Sequence, residues 1–144
     1  MGLDMYLEAE RYVDLEARKK LVIPSMPETQ GNVSRITILV GYWQEANHIH
    51  KWFVDNIQEG WDECQKSGVS RTELTELRDA CNAVLGDHSL AEAELPTGSG
   101  FFFRDTEYGE YYFKDLEDTV QIIEEALKLP DGWEGWDFSY RASW

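Results

Sequence analysis

Between Leu3 and Val13 the apolar side chains Leu3, Met5, Leu7 and Ala9 fall on one alternation, with Tyr6 and Tyr12 on the other. A period of two over this length predicts a first strand. From Asp14 to Asn32 the pattern dissolves into Arg18, Lys19 and Lys20, then Pro24, Ser25, Pro27 and Gly31, which predicts a flexible loop over 14–32. The β-branched run Ile36, Ile38 and Val40 predicts a second strand ended by Gly41. Trp43, Ala46, His50, Phe53 and Ile57 then recur at spacings of three and four, the mark of one helix face, which Ile49 and Val54 widen. Gly60 breaks that helix, and Trp61 to Val69 read as a short extended connection with a turn near Gly68.

Ser70 followed by Glu73 is a capping-box signature, in which hydroxyl and carboxylate each satisfy an otherwise unpaired backbone amide. The helix it starts carries Leu74, Leu77, Cys81 and Val84 as its stripe and closes at Gly86, which tolerates a left-handed backbone. Pro96, Gly98, Ser99 and Gly100 predict a turn, and Phe101, Phe102 and Phe103 a short strand. Tyr112, Leu116, Val120, Ile123 and Leu127 define a third helix, stopped by Pro130, Asp131 and Gly132. Trp136, Phe138 and Tyr140 alternate with Asp137, Ser139 and Arg141, predicting a last strand able to pair with the first. The expected fold is α+β, a small and mostly antiparallel sheet with about three helices, forming a single domain over 1–144.

Composition narrows the functions open to such a domain. At 42% hydrophobic and 13% aromatic residues the chain escapes the composition that keeps charged sequences unfolded. No apolar run approaches the roughly 20 residues needed to cross a bilayer, and Asp4 stands where a secretory leader is basic and apolar, so neither a membrane nor export is expected. Cys64 and Cys81 are too few and too far apart for a disulfide framework or a zinc site and read as buried thiols. The formal charge of −15 repels phosphate backbones and anionic headgroups and attracts basic partners. Direct nucleic-acid binding is therefore not expected, although acidity also serves plain solubility.

The chain has no phosphate-binding glycine loop, dinucleotide fingerprint, nucleophile elbow, zinc-protease motif or calcium loop, and no cofactor or metal is expected. A binding role is favoured over catalysis. His48 and His50 lie two apart on a predicted helix, so their side chains diverge by about 200° and cannot share one metal. His48 is expected to face solvent. His50 falls on the apolar stripe, either as a core histidine or as a pocket residue beside Asn47, with Asp4 as the carboxylate that would orient it. Trp43 and Phe102 complete a candidate ligand pocket.

Asp105, Glu107, Glu110, Asp115 and Asp118 surround the start of the third helix, interleaved with Tyr108 and Tyr111. Carboxylates there suit the helix dipole, and mixed with amphipathic aromatics they also suit a basic protein surface. Trp133, Trp136 and Trp144 need cover, either from the domain's own sheet or from a second copy in a homodimer.

Three blocks carry a family resemblance: Met1 to Leu7, Gly41 to Val54 and Gly100 to Phe103 followed by Glu110 to Tyr112. In order and spacing they resemble a group of small phage and prophage accessory proteins without established activity. In that group Gln44 and Glu45 are usually replaced by a basic pair, and position 104 is commonly small. The departures make the helix start more acidic here, against an anion-binding role, while Asn47 and His50 remain. The resemblance implies a setting, an accessory protein of a bacterial virus acting in the host cytoplasm; joined to the charge of −15, it makes an inhibitor of a defence nuclease or another host protein with a basic surface the expected function. The alternative is a nucleotide-binding sponge or small enzyme with its pocket at Asn47 and His50.

Overall fold

The structure, a computed structural model, describes residues 2–18, 21, 33–98, 107–132 and 135–144. Four strands form one antiparallel sheet in the order β2-β1-β4-β3, with β1 at Asp4–Tyr12, β2 at Arg35–Gln44, β3 at Ser67–Val69 and β4 at Asp137–Ser143. The last strand pairs with the first, as the alternation predicted. Period two then sorts β1 by face: Met5, Leu7 and Ala9 are fully buried, whereas Asp4, Tyr6, Glu8 and Glu10 look the other way.

The helices are α1 (Leu15–Arg18), α2 (Asn47–Asn56), α3 (Arg71–Gly86), α4 (Ala91–Glu94) and α5 (Glu110–Leu127). Ile49 and Phe53 of α2, Leu74, Leu77, Cys81 and Val84 of α3, and Leu116 and Ile123 of α5 join the buried strand residues in one core. The Ser70 and Glu73 capping box forms as predicted, and α3 ends at Gly86 without a left-handed turn, capped by Asp87. No helix among the described residues is long and apolar enough to cross a membrane.

Two details correct the sequence reading of β2. Gly41 does not end the strand but lies buried within it, because a Cβ there would meet Ile122 Cγ2 of α5 at 2.4 Å. A bulge opposite Leu7 and Glu8 leaves Val40 as the extra residue, so that Ile38 and Trp43 both face the core. Of the expected loop over 14–32, only 14–18 and 21 are described, and they include the single turn of α1. The predicted Phe101 to Phe103 strand lies outside the described residues. Cys81 is buried, which pushes its thiol up to about 12, but Cys64 is exposed, contrary to expectation, with a left-handed backbone in the loop before β3.

The opposite sheet face pairs its charges locally. Arg141 pairs with Glu8 at 3.0 Å and stacks over Tyr6, while Arg35 and Lys66 both reach Glu10.

Candidate functional site

The sequence passes from β2 into α2 through only Glu45 and Ala46. Glu45 takes φ 56°, left-handed for a non-glycine residue at a cost of about 1 kcal/mol, and its amide donates to Leu3 O at 2.7 Å. This short turn drives the first helical turn into the molecule, so Asn47, His48, Ile49 and His50 are all buried. Buried polar side chains require partners, and the polar members of this turn are packed against different parts of the chain.

Asn47 Oδ1 accepts from the amide of Gly98 at 3.3 Å, fastening α2 to the segment after α4. His50 is 2% exposed and its Nδ1 lies 2.7 Å from the Tyr140 hydroxyl of β4. The opposite ring nitrogen, Nε2, sits 3.0 Å from Asp62 Oδ1, off the line of an ideal hydrogen bond but in close electrostatic contact. The same oxygen accepts from the Trp144 indole at 3.0 Å. Tyr140 is fully buried and stacks flat on Phe53 at 3.8 Å. Its hydroxyl is held well above the usual phenol range by burial first and by the Asp62 charge second. His50, Lys51, Val54, Asp55, Asp62, Thr97 and Gly98 line a surface cleft of about 430 Å³.

His48 lies on the other side of the helix. Its ring rests on Tyr112 of α5, centroids 4.2 Å apart, and Nε2 is 3.8 Å from Asp115 Oδ2. Glu45, Glu107, Tyr111 and Asp115 close with it around a crevice of only about 10 Å³, less than one side-chain head needs. Burial pushes the Tyr112 hydroxyl, which donates to Leu95 O at 2.7 Å, above its usual range.

The predicted site residues divide accordingly. His50 lines the cleft, whereas Asn47 lines the crevice with Glu107, Tyr111 and Asp115 and touches the cleft's edge only by accepting from the Gly98 amide. Tyr108 packs edge-on against Tyr112, Glu110 is exposed at the start of α5, and Asp118 is tied to Lys114 at 2.6 Å. Trp43 is a core anchor, its indole donating to Thr119 Oγ1 at 2.8 Å, and does not line the cleft. Asp4 does not orient His50: the alternation of β1 puts it on the opposite sheet face, where it accepts from the Tyr42 hydroxyl and helps push that phenol up to about 12. His48 is buried rather than solvent-facing, since divergence from His50 carries it into α5 instead of water. Phe102 and Asp105 lie outside the described residues. The sequence reading missed Asp62, Tyr140, Trp144 and Glu45 as site residues.

Compared with protein-family models, with curated proteins and with solved structures, the chain matches none.

Proposed function

We propose that the chain is a phage-type accessory protein that binds a basic, nucleic-acid-handling host protein through the acidic surface beside His48. The observation that supports this reading is the convergence of Glu45, from the turn between β2 and α2, with Glu107 and Asp115, from the stretch that leads into α5, beside Tyr111 and Tyr112 at one crevice. The cations elsewhere are largely consumed locally: Lys51 by Asp55, Arg78 by Asp79, Lys128 by Glu125, Arg71 by Asp131 and Arg141 by Glu8. A crevice of about 10 Å³ is too small for a ligand, so on this reading the acidic rim meets a partner's surface. Among the described residues no three His, Cys, Asp or Glu side chains are arranged to hold a metal, which leaves the guanidinium and ammonium groups of a protein as the fitting cations. An acidic face with aromatic support competes for a groove that otherwise takes phosphates, and its host-cytoplasm setting comes from the family resemblance.

The test is competition with duplex DNA for basic host nucleases, measured over a salt series. The triple variant E45Q/E107Q/D115N is expected to lose at least tenfold in affinity, and a remote triple of equal charge change, E76Q/D79N/E92Q, to lose little. Equal losses in the two triples would reduce the effect to net charge and defeat the proposal.

A further inference from the structure

We propose that the cleft beside His50 is a separate binding site for an alkylguanidinium or alkylammonium group, held by the carboxylate of Asp62. The cleft, at about 430 Å³ and open to the surface, has room for a small group, unlike the crevice on the other side of the helix. Asp62 is only partly exposed, and among the described residues both of its polar contacts fall on one oxygen, Oδ1. The second oxygen is left to accept from a ligand.

The backing of that carboxylate is built, not incidental. A lone pair on His50 Nε2 facing a carboxylate oxygen 3.0 Å away is repulsive, so the ring proton belongs on Nε2 and Nδ1 accepts from the Tyr140 hydroxyl. The Tyr140 hydroxyl thus orients the imidazole from the core so that its Nε2 side stands in electrostatic contact with Asp62 at the cleft, and the Trp144 indole holds the same carboxylate oxygen. Within the lining, Lys51 and Asp55 neutralise one another at 2.6 Å, so Asp62 supplies the cleft's net charge. That sign repels a phosphate. A nucleobase also lacks the aromatic wall it would stack on, because His50 is the only ring in the described lining. A cationic group with several N–H donors meets both conditions, and the overall charge of −15 raises its local concentration.

The site shares no carboxylate with the crevice and does not depend on the docking proposal. Agmatine is the probe, titrated by calorimetry and by the NMR resonance of the Trp144 indole N–H. Saturable one-to-one binding is expected, at least tenfold weaker in D62N and equally weakened by Val54→Phe, which narrows the cleft and covers the case that D62N does not fold. Tetramethylammonium, a cation without N–H donors, is expected not to saturate the site. Displacement of agmatine by a Gly-Arg-Gly peptide would assign the group to a protein side chain, and failure of the peptide to displace it would assign the group to a free small cation. No saturable binding, binding unchanged in both variants, or equal binding of tetramethylammonium would overturn the proposal.

Discussion

His48 and His50 stand two residues apart on one helix and are buried alike, at 3% and 2% exposure, yet their surroundings differ in kind. His48 rests on an aromatic ring of α5 with carboxylates shut around it, while His50 stands between a core tyrosine and a carboxylate that opens on a cleft. The difference teaches that burial of a histidine says little about its role, and that the space beyond its partner decides. On the proposed reading, one side meets another surface. The other has room to receive a small group.

Both sides rest on the same support, so the largest effect comes from removing it. Phe53→Ala deletes the ring stacked on Tyr140 and edge-on to Trp43 and is expected to destabilise the fold by about 3–5 kcal/mol, measured by urea denaturation. It should blur the two sides together by loosening all of α2. Tyr140→Phe is the sharper cut. It leaves the stack but strips His50 Nδ1 of its donor inside the core, for an expected loss of about 1–3 kcal/mol, with the His48 ring resonances unmoved. Comparable shifts at both imidazoles would dissolve the distinction.

Alkaline pH acts on the core common to both. The Cys81 thiol is raised from 9.0 to about 12 by burial, and Tyr112 and Tyr140 are raised as well. For a raised folded-state value the stabilisation is complete below the unfolded value, so stability should hold up to about pH 9 and fall as pH climbs toward 12. At roughly 1.4 kcal/mol per pH unit, Cys81 alone accounts for about 2 kcal/mol between pH 9 and 10.5, and thermal unfolding of Cys81→Val should show a shallower slope. The smallest effect is expected from Trp144→Phe, which removes one exposed hydrogen bond to Asp62 and should cost about 0.5–1 kcal/mol while leaving the crevice untouched.

The regular elements were legible because periodicity records burial directly: β1, β4, the α3 stripe and its capping box, and α5 all stand where the pattern puts them. Gly41 was misread because glycine usually punctuates a strand, whereas here it makes room for Ile122. The site was half legible. Asn47 and His50 stand out by type, but a helical period fixes only an angle and not the neighbour at the end of it, which is why His48 was sent to solvent and His50 to Asp4. Asp62 lies in a loop without pattern, and Trp144 arrives from the far end of the chain. Contacts made across 82 and 90 residues leave no local trace in a sequence.

The most direct measurement crosses the two sides: agmatine affinity and basic-protein affinity, each determined for D62N and for E45Q/D115N. D62N is expected to weaken agmatine at least tenfold and to leave the protein partner within twofold, with the reverse for E45Q/D115N. If each variant weakens both ligands in proportion to the charge it removes, the two sides of α2 are one diffuse acidic field, and the division drawn between them is wrong.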